Sequence, residues 1–164
     1  MAYTTIDDPE KYFKPVKYVG NLLQHPVEGF NHQPDWLWFK NADTTNSHNL
    51  LDSTRGTTKR LRSDDNSAEA TVSTRLDSFD ADGFTVETDP AVNGNNNEIV
   101  VFSWAANGGS LTNVAESGDN PGFSRQTNTT SGFSIIKYTG TGAVGTIAHG
   151  LGIVPDFIII KRLE

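Results

Sequence analysis

Short runs of apolar and aromatic residues, several of them alternating with polar residues, recur along the chain. The clearest runs occupy residues 35–40, 83–88, 99–104, 133–138 and 157–160. They are rich in β-branched and aromatic side chains, which favour strands. Clusters of Asp, Asn and Gly separate the runs and supply the positive φ angles that tight turns need. The pattern predicts an all-β fold, an antiparallel β-sandwich, although a barrel would give a similar pattern.

The polar composition strengthens this prediction. Asn, Ser and Thr together make up more than a quarter of the chain and are interleaved with 15 Gly. These residues favour turns and solvent-facing strand positions and are poor in helix interiors. A short helix is predicted only within residues 7–13, where acidic residues and Pro9 suit a first helical turn and Pro15 follows soon after.

An internal repeat links the two ends of the chain. The motif Lys17-Tyr18-x-Gly20 recurs at residues 137–140, and residues 34–40, with the pattern Pro-Asp, four apolar residues and Lys, recur at 155–161. We therefore divide the chain into an N-terminal lead-in (1–16), a β-sandwich repeat unit (17–136) and the start of a second repeat (137–164). The last segment, with its apolar run 157–160, is predicted to complete the same sheet.

Several stretches resemble a family of large repeat-containing proteins of bacteriophages and marine viral metagenomes, which are tail-fibre-like or of unknown function. The stretches are residues 1–13, 33–40, 48–62, 78–84 and the repeated GFSIIKYTG at 132–140. The resemblance implies a repeated β-sandwich similar to concanavalin-like jelly rolls, located in a virion tail appendage that meets the host surface. It brings no catalytic residues with it.

Charge and composition narrow the range of functions. The formal net charge of −7 disfavours a general nucleic-acid binder. The chain has no Cys, which excludes disulfides, a thiol nucleophile and thiolate metal sites. No apolar run is long enough to insert into a membrane as a helix. The four His residues have no metal-ligand spacing, and no motif of a hydrolase, P-loop or zinc protease is present.

Three tryptophans are the first candidates for a binding site. On a strand, Trp36 and Trp38 share one face. With Trp104 they could stack on the apolar face of a pyranose ring if that surface is open. If a second sheet or a neighbouring protomer covers it, the rings serve packing, and this structural interpretation is favoured.

A second candidate site combines His48 as acid or base with Asp52 and Arg55 as a clamp for a carboxylate or sugar hydroxyl. A structural ion pair between Asp52 and Arg55 is the favoured alternative. Four basic residues within positions 55–62 could attract phosphate or an acidic polysaccharide. The acidic residues that follow, within 64–69, are predicted to neutralise them.

Alternating carboxylates before a glycine give the third candidate, a calcium site at Asp80 and Asp82. Ser78 stands where an EF-hand loop would carry its first acidic ligand, and strand-like segments flank the run. A hairpin turn closed by Asp82-Gly83 is therefore favoured. Apart from calcium, no cofactor is predicted.

The sequence thus predicts a non-enzymatic module of a tail-fibre-like protein, structural or binding the host surface through glycans. Its partners would be neighbouring protomers or repeats of the appendage and a host glycan. The alternative is a virion-associated enzyme that degrades polysaccharide, which needs two carboxylates roughly 5–10 Å apart. No motif selects such a pair, so no catalytic residue is named.

Overall fold

The structure, a computed structural model, describes residues 6–164, so the first five residues of the lead-in and of the viral resemblance lie outside it. A 3-10 helix at Pro9–Lys11 lies within the range predicted for a helix. The helix α1 spans Pro90–Asn93. The strands are β1 (Phe13–Val19), β2 (His25–Glu28), β3 (Trp36–Asn41), β4 (Asn49–Asp52), β5 (Lys59–Arg60), β6 (Ala70–Thr71), β7 (Leu76–Asp80), β8 (Gly83–Val86), β9 (Glu98–Trp104), β10 (Thr112–Val114), β11 (Phe123–Asn128) and β12 (Phe133–Tyr138).

Two antiparallel sheets pack against each other around the core. The first sheet has the order β1-β9-β3-β4 and the second the order β2-β8-β7. Alternation on β3 turns Leu37 and Phe39 inward, where both are fully buried. Phe84, from β8 of the second sheet, meets Phe39 edge to face with ring centroids 5.3 Å apart. The predicted all-β class and antiparallel sandwich are confirmed; the jelly-roll topology stays a prediction.

Two short caps and one hairpin show how local sequence sets the ends of these elements. Asp8 and Asp89 each precede a Pro and accept a hydrogen bond from a backbone N–H of the following turn, which is the usual start of a helix. The hairpin between β7 and β8 turns at Asp80–Gly83. Gly83 has φ +154°, and a Cβ there would lie 2.0 Å from the carbonyl oxygen of Val27. Only glycine fits at this position, where β8 pairs with β2.

A third sheet, β10-β11-β12, lies beside the sandwich, and β5 pairs with β6 in a two-stranded ribbon. The predicted run 133–138 is thus a strand, but of this third sheet. Residues 139–164 contain no strand, and the apolar side chains of Phe157–Ile160 are 50–80 % exposed. In the structure this segment adds no strand to the sandwich beyond residue 138, and the division of the chain at residues 16 and 136 stays a prediction.

No helix in the described part of the chain has the length and apolar character needed to cross a bilayer.

Candidate functional site

Aromatic side chains cover the outer side of the first sheet. Because residues alternate on a strand, burying Leu37 and Phe39 turns Trp36 and Trp38 outward. The register extends the row across neighbouring strands, since Trp36 lies opposite Trp104, which in turn lies opposite Phe13. We call this surface the aromatic face. Its members are Phe13, Trp36, Trp38, Phe102, Trp104 and, from the third sheet, Phe133.

The rings of the aromatic face contact one another. Trp36 and Trp104 have centroids 4.7 Å apart, and Phe13 lies 4.9 Å from Trp104. Phe13 and Phe102 remain 38 % exposed, whereas the three tryptophans are half-buried. A continuous, partly open aromatic surface of this kind is unusual for a surface without a ligand or partner.

Phe133 lies over the centre of this surface. It is stacked on Trp36, with centroids 5.9 Å apart and planes at 18°, and on Trp104, at 6.1 Å and 23°. The hairpin of β11 and β12 thus covers part of the tryptophan pair. Trp36 and Trp104 thus pack against another sheet while the rim of the face stays open, and stacking of a sugar on these rings stays a prediction.

A cleft of about 290 Å³ opens beside Phe133. It lies between the N-terminal 3-10 turn and the turn that joins β11 to β12. Its walls are Ile6, Pro9, Tyr12, Phe13, Trp104, Ser131, Gly132 and Phe133. The volume is close to the lower end of the range of about 300–1,000 Å³ that is usual for small-molecule sites. Four aromatic rings and two hydroxyl-bearing residues give it the composition of such a site.

Sequence reasoning identified Trp104 but missed Tyr12, Phe13 and Phe133. The repeat carried a usable signal for two of them, because Phe13 and Phe133 stand at equivalent places, four residues before the Lys-Tyr-x-Gly motifs. In the structure these two residues flank Trp104. The N-terminal turn and the hairpin that form the cleft are far apart in sequence, so only the fold shows that they meet.

His48 contacts the aromatic face through Trp38, and its role as acid or base stays a prediction. The indole N–H of Trp38 donates to Nδ1 of His48 at 2.8 Å, which places the proton of a neutral imidazole on Nε2. The two rings meet edge to face with centroids 5.8 Å apart. The structure thus gives His48 the role of orienting Trp38.

Asp52 and Arg55 form the ion pair that the sequence favoured. Nε of Arg55 lies 2.6 Å from Oδ2 of Asp52, and both side chains are 6 % exposed. Nη1 of Arg55 also bonds Glu69 at 2.9 Å. Burial raises the pKa of Asp52, while Arg55 opposes that rise. This closed arrangement leaves no free group with which to clamp a ligand.

The neighbouring basic residues are also largely neutralised, as predicted. Arg62 bonds Asp65 at 2.8 Å, and this hydrogen bond lowers the pKa of Asp65 to about 2. Lys59 lies 3.9 Å from Glu69. Arg60 differs from its neighbours because it is buried, and its Nε and Nη1 atoms bond nothing in the described part of the chain.

Asp80 and Asp82 support the hairpin between β7 and β8. Asp80 accepts from the hydroxyl of Thr85 at 2.8 Å, and Asp82 accepts from the backbone N–H groups of Gly29 and Asn31. No group of three or more His, Cys, Asp or Glu side chains suited to a metal occurs within residues 6–164. The hairpin interpretation is confirmed, and calcium binding stays a prediction.

A buried carboxylate that sequence reasoning did not single out fixes the end of the face. Asp35 is fully buried directly before β3. Its oxygens accept from the backbone N–H groups of Ala106, Gly108 and Gly109, at 2.7–2.9 Å, and from the hydroxyl of Ser53 at 2.6 Å. Asp35 thereby holds the loop that follows Trp104.

Gln126 extends this network to the third sheet. Its amide oxygen accepts from the N–H of Gly109 at 2.8 Å. Its amide nitrogen donates to the hydroxyls of Ser53 and Thr54, at 2.8 and 2.9 Å. Because Gln126 is on β11, this network fixes the hairpin that carries Phe133 to the sandwich.

Comparison with known proteins identifies a family. The family model of a domain of unknown function (DUF7483) matches residues 8–164. No curated protein and no solved structure matches the chain.

Proposed function

Because this chain belongs to the DUF7483 family, a domain of unknown function, we propose a role from its own surface: it is a glycan-binding β-sandwich module whose site is the aromatic face. The observation that carries the proposal is the cleft in which Tyr12, Phe13, Trp104 and Phe133 converge. The site binds and does not catalyse.

The chemistry of the cleft suits a sugar. Aromatic rings present a partially negative face to the C–H groups on one side of a pyranose. Tyr12 and Ser131 add hydroxyl groups that can bond the sugar hydroxyls. Small-molecule sites usually have mostly apolar walls with a small number of polar groups, as this cleft does.

The sequence resemblance supports a location for the module in a tail-fibre-like virion appendage. There it would act as a structural unit and as a surface that meets the host. Its partners would be neighbouring protomers or repeats and a host-surface glycan. The net charge of −7 fits this role better than nucleic-acid binding.

The experiment is binding of the purified protein to a broad glycan array, with Phe13→Ala as the test variant. Phe13 is 38 % exposed, so its removal should leave the fold intact while opening one wall of the cleft. We expect a specific hit on the parent protein and a loss of about two- to twelvefold in affinity for the variant, since ring stacking is worth roughly 0.5–1.5 kcal/mol beyond area burial. Tyr138→Ala, which removes a ring 43 % exposed and outside the face, is the matched control. An array without hits from folded protein, or equal binding by Phe13→Ala, overturns the proposal.

Two further arms separate the alternatives. If calcium takes part, array binding should need calcium and Asp82→Ala should abolish the binding, whereas the cleft alone predicts no dependence on calcium. Release of reducing sugar from bacterial capsule preparations would favour the polysaccharide-degrading enzyme instead, because a binding module liberates nothing.

A further inference from the structure

The C-terminal segment exposes the most apolar stretch of the chain. The side chains of Phe157, Ile158, Ile159 and Ile160 are 80, 67, 50 and 76 % exposed. No hydrogen bond joins their backbone to another described residue. Four consecutive apolar residues in this state are a template for pairing with another strand.

The repeat shows which environment suits such a sequence. Residues 155–161 correspond to 34–40, which contain most of β3. In β3 both edges are paired, and Leu37 and Phe39 are fully buried. Their counterparts Ile158 and Ile160 have the side chains of a central strand, but no strand of the described residues lies beside them.

Two hydrogen bonds near the end of the segment indicate which of its edges is free. The carbonyl oxygen of Leu163 accepts from the N–H of Glu69 at 2.8 Å, and Nζ of Lys161 donates to the carbonyl oxygen of Asp65 at 2.6 Å. In extended backbone the polar groups of successive residues point to opposite edges. If the segment pairs as an extended strand, the bond at residue 163 directs the groups of residues 158, 160 and 162 to the outer edge.

We propose that this edge is a self-association site, at which Asp156–Arg162 of two copies of the chain pair as antiparallel strands about a two-fold axis through Ile159. Symmetric antiparallel strands place the axis on a residue. An axis at Ile159 places Ile158 opposite Ile160 of the partner subunit, and Asp156 opposite Arg162 of the partner subunit. Asp156 and Arg162 are both exposed.

Charge complementarity selects this register. An axis at Ile158 would place Asp156 opposite an isoleucine, so both carboxylates would be left without a partner. The axis at Ile159 gives two opposite-charge pairs, one at each end of an apolar centre. Cross-strand pairs of this kind contribute roughly 0.2–1 kcal/mol each. The interface is short, so we expect a weak dimer.

A charge exchange tests the register. Sedimentation equilibrium from micromolar to near-millimolar concentration should show a monomer–dimer equilibrium for the parent chain. Asp156→Arg alone and Arg162→Asp alone should each weaken the dimer about tenfold, because each places like charges opposite one another twice. The double variant should restore it. A parent chain that is monomeric throughout, or a double variant no better than the single ones, overturns the proposal.

Disulfide formation tests the axis independently, since the chain has no Cys. Residues directly opposite in a non-hydrogen-bonded pair have Cα atoms about 4.5 Å apart, which a disulfide can span. Ile159→Cys should therefore cross-link into dimers under mild oxidation. Val144→Cys, at a position 97 % exposed but outside the segment, is the control. Equal cross-linking of the two variants would contradict a specific interface.

Discussion

The ring of Phe133, near the start of the last strand, lies on the indole of Trp36, in the middle of the first sheet, with planes at 18° and centroids 5.9 Å apart. The two residues are almost a hundred positions apart in the chain. Phe133 is also one wall of the cleft. The candidate site therefore depends on how firmly the third sheet is held to the sandwich.

Phe133→Ala tests that dependence. Loss of the ring should expose Trp36 and Trp104 to water and shift tryptophan fluorescence to longer wavelength. We expect the free energy of unfolding to fall by about 1–2 kcal/mol, below the roughly 3–5 kcal/mol of a fully buried Phe, because Phe133 is half-buried. Phe157→Ala should change neither quantity. An unchanged emission spectrum would mean that the ring does not shield the indoles.

Asp35→Asn should destabilise the protein strongly. The substitution removes a buried charge that accepts from three backbone N–H groups and one hydroxyl. Unsatisfied buried donors cost about 1–3 kcal/mol each, so we expect a loss of roughly 2–4 kcal/mol in urea unfolding. The repeat offers a matched control in Asp156→Asn, at the equivalent but exposed position. Equal effects of the two substitutions would contradict the role given to Asp35.

Arg55→Met should leave two carboxylates, Asp52 and Glu69, without their shared cation. Asp52 is 6 % exposed, so its charge would remain in a poorly solvated place. Breaking a buried pair costs about 3–5 kcal/mol. Lys17→Met, which breaks an exposed pair with Glu98, should cost no more than about 1 kcal/mol. The free energy of unfolding of both variants is measured in urea. Similar losses would contradict the expectation that the buried ion pair contributes more to stability than the exposed one.

His32 should make the protein less stable in mild acid. It is buried, its Nδ1 lies 2.7 Å from the carbonyl oxygen of Glu10, and burial lowers its pKa below the ordinary value of 6.5. The unfolded chain therefore takes up a proton first. Stability is complete above pH 6.5 and falls as pH drops below it, by at most about 1.4 kcal/mol per pH unit.

The measurement is the melting temperature between pH 7.5 and 5.5. The parent chain should melt lower at the acidic end, and His32→Gln should lose most of that difference. A His32→Gln variant with the same pH dependence would assign the effect to other groups.

The alternation in residues 35–40 was enough to predict β3 and its two faces, because one face of a strand in a sandwich must be apolar. The ion pair of Asp52 and Arg55 was predictable from their spacing in a turn. The clustering of Trp36 with Trp104 was not, since it depends on β9 lying between β1 and β3, an order that local pattern does not specify.

The run 157–160 shows the opposite case. Its pattern indicates a strand as clearly as that of β3, yet a strand also needs a neighbour, and within residues 6–164 it has none. The role of Asp35 was hidden for a related reason. A lone carboxylate beside a tryptophan looks like a surface residue until the loop of residues 106–109 folds over it.

The position of β9 between β1 and β3 also affects how the chain folds during synthesis. Phe13 of β1 pairs with Trp104 of β9, about 90 residues later, and β3 pairs with the same strand β9. At about 5–20 residues per second, the ribosome needs roughly 5–20 seconds to deliver β9 after β1. During that interval β1 has no partner strand and β3 has one unpaired edge, so the first sheet cannot be completed until residue 104 has left the exit tunnel.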